Sequence, residues 1–164
     1  MKHAPFVLAV VAGLAGGCET LSAWIGDTVY GVSRTTPLAG SPDLACVARA
    51  IELTDGVASV SYHARHEGKG LFHPTPWIHD YVYSGGEGSG IWGSLQLIKT
   101  YDGHFTYKNA FLALHAPPPQ RSIDAVRPVM RALEKNIAAR CAIIELNAGV
   151  AETCTGVSCN PLPE

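Results

Sequence analysis

The segment Ile91–His115 reads "IWGSLQLIKTYDGHFTYKNAFLALH", and it decides the predicted fold. Two runs rich in apolar residues flank Asp102-Gly103, a dipeptide whose residues both tolerate positive φ. This pattern predicts a β-hairpin with a tight turn at the dipeptide. Direct pairing across that turn places Ile98 opposite Tyr107.

Two further strands and two helices are predicted around this hairpin. The alternation in "VASVSYHAR" (57–65) and the run "WIHDYVY" (77–83) predict strands that precede it. Apolar residues at helical spacing predict one helix in 41–56 and another in 122–141. The order helix, strands, helix predicts a two-layer α+β domain, in which an antiparallel sheet of about four strands carries both helices on one face.

The first 18 residues have the order of a secretory signal peptide. Lys2 supplies a positive charge, an apolar run extends from Phe6 to Leu14, and small residues precede Cys18. The stretch "LAGGC" (14–18) resembles the lipobox of bacterial lipoproteins, in which the cysteine is lipidated and becomes the first residue after cleavage. Ala15 stands where that family most often has Leu. An ordinary cleaved signal peptide with a cysteine nearby is the alternative.

The lipobox resemblance implies a lipid anchor at Cys18 and a place in the cell envelope. Glu19 follows the cysteine where an inner-membrane lipoprotein often has Asp, which implies the outer membrane, facing the periplasm. Residues 1–17 are then the signal peptide, and 18–40 are the lipidated N-terminus and a tether, with one short strand around Asp27–Val32. Residues 41–146 form the α+β domain, and 147–164 form a disulfide-closed C-terminal tail.

The cysteine count fits this assignment, since an exported protein meets an oxidising compartment in which thiols pair. Lipid on Cys18 leaves four of the five cysteines. Cys154 and Cys159 lie in the short polar segment "CTGVSC", and Cys46 and Cys141 occupy equivalent places on the apolar faces of the predicted helices. We therefore expect Cys46 to pair with Cys141 and Cys154 with Cys159. The spacings do not match zinc ribbons or CxxC redox sites.

The charge balance narrows the expected partners. Loss of Lys2 with the signal peptide leaves 11 of the 12 basic residues against 14 acidic ones, a net charge of −3 with neutral histidines. Without basic clusters, this balance argues against nucleic acid. The expected partners are the membrane, through the lipid on Cys18, and an envelope protein. No cofactor is predicted.

Aromatic residues on the predicted strands form the candidate binding face: Tyr81, Trp92, Tyr107 and Phe111. Both faces of the predicted sheet carry apolar groups, and two helices cover only one of them. Either loops and the tether cover the second face, or it binds an envelope protein or an apolar ligand. The predicted function is therefore a non-enzymatic accessory or binding lipoprotein of the envelope.

Clustered histidines supply the alternative function, a metal-binding protein or metal-dependent enzyme. The candidate ligands are His63, His66, His73 and His79. Because side chains alternate along a strand, His63 and His66 point to opposite faces unless the chain bends after them. The carboxylates and serines lack the spacing of a catalytic set, so the sequence does not predict catalytic residues.

Overall fold

A computed structural model of the chain describes residues 29–66, 77–100, 102–144 and 149–159. Its strands are β1 (Val29–Pro37), β2 (Ser59–His66), β3 (Trp77–Ser84), β4 (Trp92–Lys99), β5 (Phe105–Leu114) and β6 (Ala151–Thr155). Its helices are α1 (Leu44–Glu52) and α2 (Gln120–Cys141). The strands form one antiparallel sheet in the order β2-β3-β4-β5-β1-β6.

The predicted sheet of about four strands in a helix–strands–helix order is wrong. Within the described ranges the sheet has six strands, because β1, which precedes α1, and β6, which follows α2, join the four strands that lie between the helices. β1 lies between β5 and β6 and is antiparallel to both. The sequence prediction has only a short strand around Asp27–Val32 within the tether, which overlaps the first four residues of β1, and it places β6 within the tail. Both "VYGVSRTTP" and "AETCT" lack the apolar alternation of a half-buried strand.

Gly31 permits the close approach of β1 to β5. Its φ is +142°, in the region that favours glycine. A Cβ at this position would collide with the backbone carbonyl oxygen of Phe111. The inner position of β1 therefore depends on a residue without a side chain at Gly31.

The β4–β5 hairpin forms where the sequence predicts it, but with a different register. Leu97, rather than Ile98, is opposite Tyr107, and the turn spans 100–104. The backbone N–H of Thr100 donates to the carbonyl oxygen of His104 at 2.8 Å and closes this longer turn. Because a shift of one residue moves a side chain to the other face, Tyr107 joins Leu97 on one face of the sheet.

Both helices pack on the face of the sheet that carries Leu97 and Tyr107. The main core joins side chains of β3, β4 and β5 to both helices: Tyr81, Tyr83, Leu95, Leu97, Tyr107, Val47, Ala50, Ile51, Val129, Leu133 and Ile137. A second cluster lies at the N-terminal half of α2: Val32, Phe111, Ile123, Val126 and Met130. Among the described residues, neither helix is both long enough and apolar enough to cross a membrane.

Polar side chains fix both ends of α1. Asp43 Oδ1 accepts hydrogen bonds from the N–H groups of Ala45 and Cys46 at 3.0 and 3.1 Å, which satisfies donors that the helix itself leaves unpaired. At the other end, Asn136 of α2 donates through Nδ2 to the Thr54 hydroxyl oxygen at 2.9 Å. Asn136 thus holds the end of α1 against α2.

Both predicted disulfides are confirmed. Cys46 and Cys141 are bonded, with their Cα atoms 5.9 Å apart and a sequence separation of 95. This bond joins the first turn of α1 to the last residue of α2. Cys154 and Cys159 are bonded with a separation of five, and they close the turn that follows β6.

The two disulfides should differ in their effect on stability. In the chain-entropy model, the longer loop of the unfolded chain loses more freedom when it is closed, so removal of Cys46–Cys141 should cost about 4–5 kcal/mol and removal of Cys154–Cys159 about 2 kcal/mol. Urea unfolding of the Cys46→Ala/Cys141→Ala and Cys154→Ala/Cys159→Ala variants measures both losses. A larger loss from the tail pair would contradict the expectation.

Candidate functional site

The structure buries three of the four aromatic residues of the predicted binding face. Tyr81, Tyr107 and Phe111 are 1%, 0% and 1% exposed, whereas Trp92 is 45% exposed. The burial of Tyr107 follows from the observed hairpin register, which places it beside Leu97 beneath the helices. The predicted face is therefore core at these three positions. The ring of Trp92 packs edge-on against the ring of Phe111, with 4.8 Å between the two ring centres.

The buried tyrosines use their hydroxyl groups inside the molecule. Tyr81 donates to the carbonyl oxygen of Leu44 at 3.0 Å, and Tyr83 donates to Asn109 Oδ1 at 2.9 Å. Burial raises the pKa of both phenols, so both stay neutral and act as donors. The Tyr83 ring lies across Gly93, where a Cβ would collide with it. These hydroxyls therefore join strands and helix within the core.

Four charged side chains form a second polar group between α2 and the β1–β6 end of the sheet, here named the Arg34 cluster: Arg34, Arg127, Glu134 and Glu152. Arg34 binds both carboxylate oxygens of Glu134, with Nε–Oε1 and Nη2–Oε2 distances of 2.6 and 2.9 Å. Its Nη1 binds Glu152 Oε2 at 2.5 Å. Arg127 donates to the other oxygen of Glu152. Two positive and two negative charges thus pair across three elements.

The environment of this cluster favours the ionised forms of Glu152 and Arg34. Burial favours the neutral form of Glu152, but hydrogen bonds from Arg127 and Arg34 outweigh it and lower the pKa of the carboxyl group. Burial likewise opposes the charge of Arg34, and the carboxylates of Glu134 and Glu152 raise its pKa in spite of it. With its charges paired, the cluster acts as an internal brace.

The histidines of the metal hypothesis divide between the two sheet faces. His63 is opposite Asp80, whereas His79 is opposite Ala64, so the His63 and His79 side chains project from opposite faces. These two side chains cannot bind one ion together. The side chain of His66 and the whole of His73 lie outside the described residues. A site that uses all four histidines is therefore not formed.

One other group within the described ranges has the spacing of a metal site. It consists of Glu152, Cys154 and Cys159, whose ligand atoms lie within 4.8 Å of one another. Cys154 and Cys159 are bonded to each other, so neither sulfur is the thiolate that a metal ion requires. Glu152 is paired with Arg34 and Arg127. All three residues are therefore already bonded or paired within the protein.

Aromatic rings gather at the end of β2 and β3, here named the aromatic cluster: Tyr62, Trp77, His79 and Phe105. The Tyr62 hydroxyl and His79 Nδ1 form a hydrogen bond of 2.8 Å. The two rings are stacked at 6.2 Å, and Trp77 lies edge-on to His79 at 6.1 Å. Phe105 lies on the inner side of His79, with its ring centre 6.4 Å away.

The aromatic cluster has one buried side and one exposed side. Phe105 is buried, whereas Tyr62 and Trp77 are 47% and 37% exposed. Burial lowers the pKa of His79, which favours the neutral imidazole at pH 7. A neutral imidazole has one donor and one acceptor nitrogen, so the surface offers flat apolar rings beside polar atoms. Rigid amphipathic rings of this kind are the groups that contribute most to protein interfaces.

The sequence analysis missed Tyr62 and Trp77 as site residues. His79 appears in it only as a metal ligand. The feature that identifies these residues is the pairing of β2 with β3. In this pairing Tyr62 is opposite Tyr81, and Trp77 is two positions from His79 on the same face. Residues 67–76, which connect the two strands, lie outside the described residues, and the pairing follows no short motif.

Compared with known proteins, the chain matches no family model, no curated protein and no solved structure.

Charge removal from the Arg34 cluster should destabilise the fold strongly. Glu134→Gln leaves the buried Arg34 with one carboxylate instead of two, which should cost about 3 kcal/mol. The matched control is Glu52→Gln, since Glu52 pairs with Arg49 at 3.0 Å on the exposed side of α1. That change should cost less than about 0.5 kcal/mol. Urea unfolding compares the two variants, and equal losses would contradict the assigned role of the cluster.

Proposed function

We propose that this protein is a lipid-anchored protein of the bacterial cell envelope that binds another envelope protein without catalysing a reaction. The observation that supports the binding role is the aromatic cluster. In this cluster the rings of Tyr62 and Trp77 remain exposed, while His79 and Phe105 hold them in position. Because the rings are already held in position, fewer side chains must be ordered when a partner binds, and less conformational entropy is lost.

The proposed location draws support from two features of the chain. The first is the order of charge, apolar run and small residues that leads to Cys18, which resembles a lipobox. The second is the pair of disulfides, since such bonds persist in oxidising compartments outside the cytoplasm. Both features agree with export to the envelope.

The proposed partner surface differs from the binding face that the sequence predicts, because the structure buries most of that face. Tyr62 and Trp77 lie on neighbouring strands, and together they cover the end of the helix-bearing face of the sheet. Interface hot spots are enriched in Trp and Tyr, and their truncation costs about 2 kcal/mol or more. A protein partner of the envelope is therefore expected to bury both rings.

The lipid anchor is tested by Cys18→Ala. The variant should move from the membrane fraction to the aqueous fraction, because several acyl chains are lost and each methylene contributes about 0.8 kcal/mol to membrane binding. Intact mass should fall by the mass of the lipid as well as by the substitution. Equal membrane recovery of the variant and the unmodified protein would contradict the anchor.

The partner surface is tested by site-specific photo-crosslinking of the full chain in its native envelope. A photoreactive amino acid at position 77 should give a discrete adduct with one other protein, identified by mass spectrometry. The matched control is the same amino acid at position 53, because Leu53 is 42% exposed, much like Trp77. Absence of an adduct at 77, or the same adduct at 53, would contradict the proposed surface.

Binding of the identified protein should then depend on the two exposed rings. Trp77→Ala should weaken the affinity about thirtyfold, which corresponds to the loss of about 2 kcal/mol expected at a hot spot. Leu53→Ala should leave the affinity unchanged.

A further inference from the structure

We propose that one end of the sheet docks on the membrane that holds the lipid anchor, so that the aromatic cluster at the other end faces away from the bilayer. This inference rests on the proposed function, because it takes the lipid on Cys18 as given. The docking surface, here named the apolar end, consists of four exposed side chains: Val29, Trp92, Leu112 and Leu114.

Neighbouring strands bring the side chains of the apolar end together. Val29 is opposite Leu114 in the pairing of β1 with β5, and Leu112 lies on the same face of the sheet as Leu114. This face is the one away from the helices, because Phe111, which precedes Leu112, packs under α2. Trp92 begins β4 at the end where the antiparallel β5 finishes, and its ring packs on that of Phe111. The four side chains are between 36% and 60% exposed.

The charges around the apolar end do not oppose contact with lipid. On the face that carries Leu112, the nearest charged residues of β3 and β5 are Asp80 and Lys108, and Lys108 is about 13 Å from Leu112 along the strand. Exposed charges of both signs occupy the β3–β4 loop and the first turns of α2: Glu87, Arg121 and Asp124. Contact with lipid therefore depends on apolar burial rather than on anionic headgroups, and Trp and Leu are the side chains that interfacial proteins use for it.

The distance to the proposed anchor selects lipid as the partner of the apolar end. Val29 is the first residue of β1 and belongs to the apolar end, and residues 19–28 separate it from Cys18. Even a fully extended chain spans at most about 40 Å between these two positions. The apolar end is therefore tied to the bilayer by a short linker that enters at the apolar end itself. Such a linker keeps the local concentration of this surface at the membrane high, so a weak apolar contact is sufficient.

Docking at the apolar end would orient the aromatic cluster. Phe105 of that cluster begins β5 and Leu114 ends it, so about 30 Å of strand separates them. Trp77 lies in the same row of the sheet as Phe105, because Lys99 is opposite both residues. The apolar end and the aromatic cluster are therefore at opposite ends of the sheet. A domain that rests on lipid through the first presents the second to the periplasm, where an envelope protein can reach it.

The depth of a fluorescent label in lipid tests the docking. Leu114→Cys in the full lipidated chain is labelled with the fluorophore NBD, and the chain is reconstituted into phosphatidylcholine vesicles that contain a lipid with a nitroxide on its acyl chain. The nitroxide quenches NBD only at short range, so the label at position 114 should lose most of its fluorescence. The matched control is the same label on Trp77→Cys, because Trp77 is 37% exposed and lies at the opposite end of the sheet. The label at position 77 should keep its fluorescence.

A charge placed within the apolar end should release it from the membrane. Leu112→Asp introduces a carboxylate at an exposed position, and it should restore most of the fluorescence of the label at position 114, because a carboxylate resists transfer from water. Leu53→Asp is the matched control, since Leu53 is 42% exposed and lies at the end of α1 on the other face of the sheet. It should leave the quenching unchanged. Replacing part of the phosphatidylcholine by phosphatidylglycerol should also leave it unchanged.

Recovery of the labelled chain with the vesicles separates the docking from the anchor. A chain that does not sediment with the vesicles would contradict the lipid anchor, and the docking with it. A chain that sediments with them but shows no quenching at position 114, equal quenching at positions 114 and 77, or quenching only with phosphatidylglycerol would overturn the docking alone. Absence of quenching at position 114 is also the result expected if residues 19–28 cover the apolar end or if it binds a protein instead.

Discussion

The guanidinium group of Arg34 holds together parts of the protein that are far apart in sequence. It lies on β1 and binds Glu134 of α2 and Glu152 of β6, at sequence separations of 100 and 118. The two parallel contacts with Glu134 need the planar fork of arginine, which a lysine ammonium group lacks. With β1 fixed in this way, β6 has a strand to pair with and α2 has a fixed position over the sheet.

The fold was predictable wherever local pattern and local pairing agree. Apolar spacing identifies both helices, alternation identifies β2, and the turn residues identify the β4–β5 hairpin. The positions of the cysteines on the predicted helices also indicate the Cys46–Cys141 bond. Only the start of β1 was predicted, as a short strand around Asp27–Val32, and β6 was not predicted, because the stability of both strands comes from pairing with distant strands and from the ion pairs of the Arg34 cluster. A buried ion pair leaves no apolar periodicity in the sequence.

A shift of one residue in the β4–β5 register determines whether Tyr107 lies on the covered face of the sheet. A two-residue turn places Tyr107 on the face opposite Leu97, and the observed turn over 100–104 places both on the same face. The sequence therefore indicates which aromatic residues lie on strands, but turn length determines which of them are covered. Tyr62 and Trp77 become exposed because they lie towards the edge of the sheet, beyond the area that α1 and α2 cover. That area is set by tertiary packing, which no short stretch of sequence encodes.

The inner position of β1 has a mechanical consequence. Residues before Val29 enter the described structure through a strand that is hydrogen-bonded on both sides, to β5 and to β6. A pull on that end acts along the strand and loads the backbone bonds of both ladders at once, together with the salt bridges of Arg34. A pull on an edge strand would instead break the bonds one after another. Resistance to force is governed by the rate of unfolding rather than by equilibrium stability. An N-terminal attachment would therefore load both ladders of β1 along the strand.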